Sequence, residues 1–189
     1  MEGKVDARIL KTREKLKKAL LELMKDNAVE TINVTTLCRK AGVNRNTFYA
    51  HYLDPIDLLK EIENELLESM WNTLSQVDTS TLDLRTFINS ILYTINDNRE
   101  LCYLILSPRG GRHFVNTIVT MLRDKAVASW RLKGMTEEEA DYTYHYCVGG
   151  ALGVIESWAM GGYRVEVAVL GDMLSGLIEN GRIRNIRRY

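Results

Sequence analysis

The chain has 189 residues, long enough to bury a substantial core, and its 25 Lys and Arg against 25 Asp and Glu give a formal net charge of zero, which argues against a protein that coats nucleic acid regardless of sequence. The charge is unevenly placed: residues 1–53 hold eleven basic and six acidic side chains, net +5, and residues 54–189 hold fourteen and nineteen, net −5, a basic head on an acidic body. Cys38, Cys102 and Cys147 are far apart with no C-x-x-C, which suggests neither a disulfide framework nor a zinc site; no signal-peptide core and no apolar run near the ~18 residues that cross a bilayer are present, so the chain is expected in the cytoplasm and away from membranes.

With only two prolines and few alternating β-branched runs, the chain reads as helical throughout. Residues 1–6 form a short polar arm. Ile9, Leu16, Leu20, Leu23 and Met24 then make an inward stripe, while Lys11, Lys15, Lys18 and Lys25 share a separate face that is either solvated or placed for phosphates. Over residues 32–59 three helix starts follow one another, capped by Asn33, Asn44 and Asp54. Each cap is flanked by two apolar residues, Ile32 with Leu37, Val43 with Phe48, and Leu53 with Leu58, predicting a hydrophobic staple three times. Gly42 falls just past the first of these helices, where a left-handed residue is needed, and Pro55 falls at the first position of the third.

The result is a tight helix-turn-helix. Phe48 and Tyr52, four apart, point inward together and leave Arg45, Asn46, Thr47, Tyr49 and His51 on the outer face and at the N-terminal end, with no acid among them. In such a unit the start of the second helix meets base edges in the major groove; Arg and Asn match guanine and adenine, and hydroxyls and His suit phosphate oxygens. A helical hairpin that only packs, with a solvated polar face, would show the same pattern.

A long helix follows over about 55–77, with Leu59, Ile62, Leu66, Met70 and Leu74 on one side, Leu58, Leu67 and Trp71 beside them, and Glu61, Glu63, Glu65 and Glu68 turning the charge acidic, as a connector leaving the head would. The polar run DTSTLD at 78–83 ends it. Further helical segments lie at 84–96, 101–106, 113–133, from Thr136 through Gly149, Gly153 and Trp158 to Gly161, and at 165–179; the loop SPRGG at 107–111 separates two of them, and the basic tail RIRNIRRY closes the chain. Glu137, Glu138 and Glu139 follow Thr136, where the helix dipole favours acids.

Residues 34–59, with Leu37, Ala41-Gly42-Val43, Thr47-Phe48-Tyr49 and Tyr52, resemble the DNA-binding domain of the TetR family of bacterial transcriptional regulators, and the stretch from SPRGG through GGALGVIESWAMGGY resembles the C-terminal domain of one subgroup. By that resemblance Arg45, Asn46, Thr47, Tyr49 and His51 would touch DNA and Thr35 would reach its backbone. Where the family commonly has a phosphate-holding Lys, this chain has Pro55. The resemblance also implies a dimer formed by the last two long helices.

Two further sets carry expectations. Gly149 and Gly153 strip side chains from one helix face, for close approach either across a dimer or within one subunit; with Val169 and Met173 they are the expected dimer contacts, the resemblance favouring the dimer. Tyr93, Tyr103, Phe114, Trp130, Tyr142 and Tyr146, with His145, offer aromatic bodies with polar tips, suited either to core filling or to the walls of a small-molecule pocket. No nucleophile with its base and no metal spacing is present: His145 and Cys147 diverge on a helix, and His51 and His113 stand alone. Catalysis, cofactor and metal are therefore not expected.

The expected protein is all-α, with about nine helices: an N-terminal three-helix helix-turn-helix domain at 1–54, joined by a long connector helix to a helical bundle for ligand binding and dimerisation at 55–189. Its expected function is that of a ligand-responsive transcriptional regulator, a repressor that binds a palindromic double-stranded DNA operator as a homodimer and answers to an apolar or aromatic small molecule. The alternative is a helical sensor or co-regulator with weakened DNA binding that acts through a protein partner.

Overall fold

Apolar residues at every third or fourth position and so few prolines favour helix over strand. The computed structural model describes residues 2–75, 84–131 and 134–181, and among them lie nine α-helices and no strand. These are α1 (Glu2–Met24), a 3-10 turn (Val29–Thr31), α2 (Val34–Ala41), α3 (Arg45–Tyr49), α4 (Pro55–Ser75), α5 (Leu84–Asp97), α6 (Arg99–Leu106), α7 (His113–Arg131), α8 (Glu137–Met160) and α9 (Val167–Gly181). This is the all-helical chain with a helix-turn-helix head, a long fourth helix and a helical body that the sequence leads one to expect. The run 78–83 and the tail 182–189 lie outside the described residues. None of the described helices is long and apolar enough to cross a membrane.

The expected polar arm is itself helical: α1 begins at Glu2, because no proline interrupts the first residues and a helix propagates cheaply once nucleated. All three caps form. Asn33 Oδ1 accepts the Thr36 N–H at 2.9 Å, Asn44 Oδ1 that of Asn46 at 2.8 Å, and Asp54 Oδ1 that of Asp57 at 2.8 Å. Gly42 closes α2 at φ +64°, a conformation that costs an L side chain about 1 kcal/mol or more. Ile32 and Leu37 are buried, as is Phe48 beside a half-buried Val43. The third staple does not form: Leu53 is 81% exposed although Leu58 is fully buried. Polar chemistry sets that turn instead, since Asp57 Oδ2 accepts the Leu53 N–H at 3.0 Å while Asp54 caps from the other side.

Packing divides the chain into two compact units, Met1–Ser69 with Glu100–Phe114, and Met70–Arg99 with Val115–Tyr189, which cut the chain elsewhere than the functional division at 54 and 55. In the first, Leu16, Leu20 and Met24 of α1, Leu37 of α2, Phe48 of α3, Leu58 and Leu59 of α4 and Ile105 of α6 are buried. The loop after α6 closes this unit: Val29 N–H donates to Arg109 O at 3.0 Å, and Gly110 lies so close to α6 that a Cβ there would stand 2.4 Å from Ile105 O. In the second unit α9 packs on α5 and α8. Arg85 and Asp172 form an ion pair at 2.5 Å from α5 to α9. Trp130, Ala140, Tyr144 and Cys147 form a buried cluster, with the Tyr144 hydroxyl donating to Val119 O at 2.5 Å and burial raising it to about 12. α8 starts in a full capping box of Thr136 with Glu139.

The caps and the failed staple separate two contributions. Asn33→Ala should lower stability by about 1 kcal/mol in urea denaturation, whereas Leu53→Ser should leave the midpoint within ~0.5 kcal/mol of the parent; a larger loss at Leu53 would restore the staple.

Candidate nucleic-acid interface

α3 has five residues, fewer than two turns, so its direction is imposed by what it is fastened to. The Phe48 and Tyr52 rings, 5.6 Å apart, are both buried and fix the inner side. Burying a ring such as Phe48 stabilises by about 1.5–3 kcal/mol. Tyr49 stacks edge-on against Phe48, at 5.6 Å and 81°, which leaves its hydroxyl end in solvent. Thr35, Arg45, Asn46, Thr47, Tyr49 and His51 are all exposed. No Asp or Glu occurs from residue 31 to residue 53, so the whole surface of α2, the turn and α3 offers donors and cations to an anionic partner.

A charged cluster fixes the far end of this segment. Arg13 Nε donates to the Tyr52 hydroxyl at 3.1 Å and to Glu61 Oε1 at 3.2 Å, its Nη2 pairs with Glu61 Oε2, and the Tyr52 hydroxyl donates to Glu61 Oε1 at 3.1 Å. Lys17 joins Glu61 at 3.1 Å and Glu65 at 2.6 Å. Tyr52, just beyond α3, is thus held between α1 and α4. Burial alone would raise the Glu61 carboxyl, but the hydrogen bonds from Arg13, Lys17 and Tyr52 outweigh it and hold the group below its usual range. Sequence reading passed over Arg13 and Lys17, although the signal was there: two cations four apart on α1 and two carboxylates four apart on α4 are complementary stripes.

The remaining expected residues fall into two groups. Of the aromatic set, Phe114 and Trp130 are buried while Tyr93, Tyr103, Tyr142 and Tyr146 are exposed, and Tyr103 and Phe114 belong to the first unit, the other four to the second. Trp130 packs on Tyr144 in the core cluster, and exposed His145 stands 3.8 Å from Asp141. Tyr142, Tyr146, Gly149 and Gly153 follow one another at spacings of four, three and four, so they share one exposed face of α8. A Cβ built on Gly149 or Gly153 meets nothing within 4 Å. On α9, Val169, Met173 and Leu177, also four apart, are about half exposed.

Because the folded-state Glu61 carboxyl is held below its usual range, the stability it contributes is present at neutral pH and is lost as pH falls through the acid range below the ordinary carboxylate value. Stability measured by denaturant titration from pH 6 to pH 3 should therefore fall more steeply in the parent than in Glu61→Gln; parallel curves would remove Glu61 from the clamp.

A TetR C-terminal family described as "Transcriptional regulator C-terminal region" matches residues 82–180, just over half of the chain. An uncharacterized HTH-type transcriptional regulator of Bacillus subtilis, YxbF, is 23% identical over 148 residues, 76% of this chain and 38% of that protein, so the chain spans about two fifths of the length of the curated relative it matches. Among solved structures, a TetR transcriptional regulator from Streptococcus agalactiae superposes with a TM-score of 0.73 at 18% identity, over 94% of this chain and 99% of that one. The FadR repressor of Thermus thermophilus in complex with lauroyl-CoA superposes with a TM-score of 0.59 at 16% identity, over 94% and 98%. At such identities the likeness is one of fold.

Proposed function

Because the chain belongs to the TetR family of transcriptional regulators, we propose that it is a ligand-responsive repressor that binds a palindromic operator as a homodimer, with residues 1–54 as the DNA-binding domain and residues 55–189 as the ligand-binding and dimerisation domain. The observation that carries this reading is the acid-free exposed face of α2 and α3, held rigid by caps at Asn33 and Asn44 and by the Tyr52 clamp. Arg45 and Asn46, at the start of α3, read bases; Thr35, Thr47, Tyr49 and His51 hold phosphates. The dimer forms through the open face of α8 and α9, Gly149, Gly153, Val169 and Met173, a reading supported by the exposure of Tyr142 and Tyr146 on the same α8 stripe, which we read with the dimer set. The effector is an apolar or aromatic compound, a reading that the lauroyl-CoA complex of the Thermus thermophilus relative supports.

Arg45→Ala should cost about 1–3 kcal/mol against the operator and little against random DNA, and Tyr49→Phe should weaken both alike, by fluorescence anisotropy. Equal losses on both DNAs for Arg45→Ala would take it out of base reading.

The open space around Gly153 makes a test of the dimer clean, since a Cβ there meets nothing within 4 Å in the subunit. Gly153→Leu should keep the parent helical circular-dichroism spectrum, sediment as a monomer at micromolar concentration and lose operator binding, its melting temperature falling only by what the lost dimer contributed. A variant that stays dimeric would place the interface elsewhere.

A further inference from the structure

Within the first compact unit, a cavity of about 100 Å³ lies against the head: Val29 from the 3-10 turn and Ile56 and Leu59 from α4 give it apolar walls, and the loop from Gly110 to the start of α7 closes it. Glu63 of α4 lines the same space. Its side chain is 1% exposed, with Oε2 2.5 Å from His113 Nδ1, while Oε1 is buried and has no hydrogen-bond donor among the described residues. Burial pushes the Glu63 carboxyl up against the pull of His113, of the Lys60 charge and of a hydrogen bond from the Phe114 backbone, which leaves Oε1 the unsatisfied oxygen. A buried acceptor in that state is costly, so the position favours a guest with an N–H or O–H.

The other polar groups narrow the guest further. Lys60 and Arg112, exposed cations that also line the cavity, can donate to an oxygen on the guest. An anion would lie against Glu63 and Glu30, and a cation against Lys60 and Arg112. At protein packing density the volume holds on the order of four to six non-hydrogen atoms. We propose that this cavity is a binding site for a small neutral amide, its N–H₂ donating to Glu63 Oε1, its carbonyl accepting from Lys60 or Arg112, and its apolar end against Val29, Ile56 and Leu59. The site is separate from any effector pocket in the second unit and does not depend on the DNA-binding reading.

The test titrates the full chain with acetamide and with acetone, an isostere that keeps the carbonyl and lacks the N–H₂, following the methyl resonances of Val29, Ile56 and Leu59 by NMR. Acetamide should shift them saturably, with a dissociation constant in roughly the millimolar range for so small a ligand, and acetone should bind at least tenfold more weakly. Glu63→Met, which keeps the length and removes the acceptor, should erase that preference; if the variant does not fold, the acetamide-to-acetone ratio of the parent decides alone. Equal binding of the two probes, or no saturation by acetamide, would overturn the proposal and leave a cavity for water. Methylammonium binding more than tenfold tighter than acetamide would overturn it in favour of a cation site.

Discussion

A helix of five residues cannot hold its own shape in water, because nucleating a turn costs more than one or two hydrogen bonds return. α3 therefore exists only as far as its surroundings impose it: Asn44 at its start, Phe48 beneath it and Tyr52 just past its end. The last of these depends on partners far away in sequence. Tyr52 shares Arg13 and Glu61, 39 and 9 residues distant, so α1 and α4 decide together where the recognition surface stands. An ion pair this open to water on its Arg13 side is a directional constraint more than a source of net stability, since solvent screens its Coulomb gain.

The exposed residues are arranged in keeping with that constraint. The inner side of α3 is spent on aromatic burial, and everything polar is pushed to one face with no acid nearby. The body shows the complementary pattern. α8 is closed on its inner side by Tyr144, Cys147 and Trp158, and open on the stripe where glycines replace side chains. A helix that buries one face and leaves the other exposed and stripped of bulk suits the proposed approach of a second helix surface.

How much of this was legible in the sequence follows from the range of each interaction. Asn33, Gly42, Asn44, Asp54 and Thr136 announce themselves because a cap acts on backbone two or three residues away. Phe48 and Tyr52 were legible as a buried pair for the same reason. Leu53 was misread because a staple and a polar turn share the same residue pattern, and the Asp57 carboxylate decided between them. The aromatic set could not be sorted, since Trp130 in a core and Tyr146 in solvent look alike on periodicity alone. Contacts between distant positions, Arg13 with Glu61 or Glu63 with His113, needed the tertiary fold.

The central claim is that the α2–α3 face, as α1 and α4 hold it, reads a particular DNA sequence. The most direct measurement is binding of the full chain to DNA from upstream of its own gene and to random DNA of equal length, across a series of salt concentrations. The account predicts a complex about a thousandfold or more tighter on the upstream DNA near physiological salt, with affinity falling log-linearly as salt rises. Equal affinity for the two DNAs at every salt concentration, or no binding to either, would contradict it.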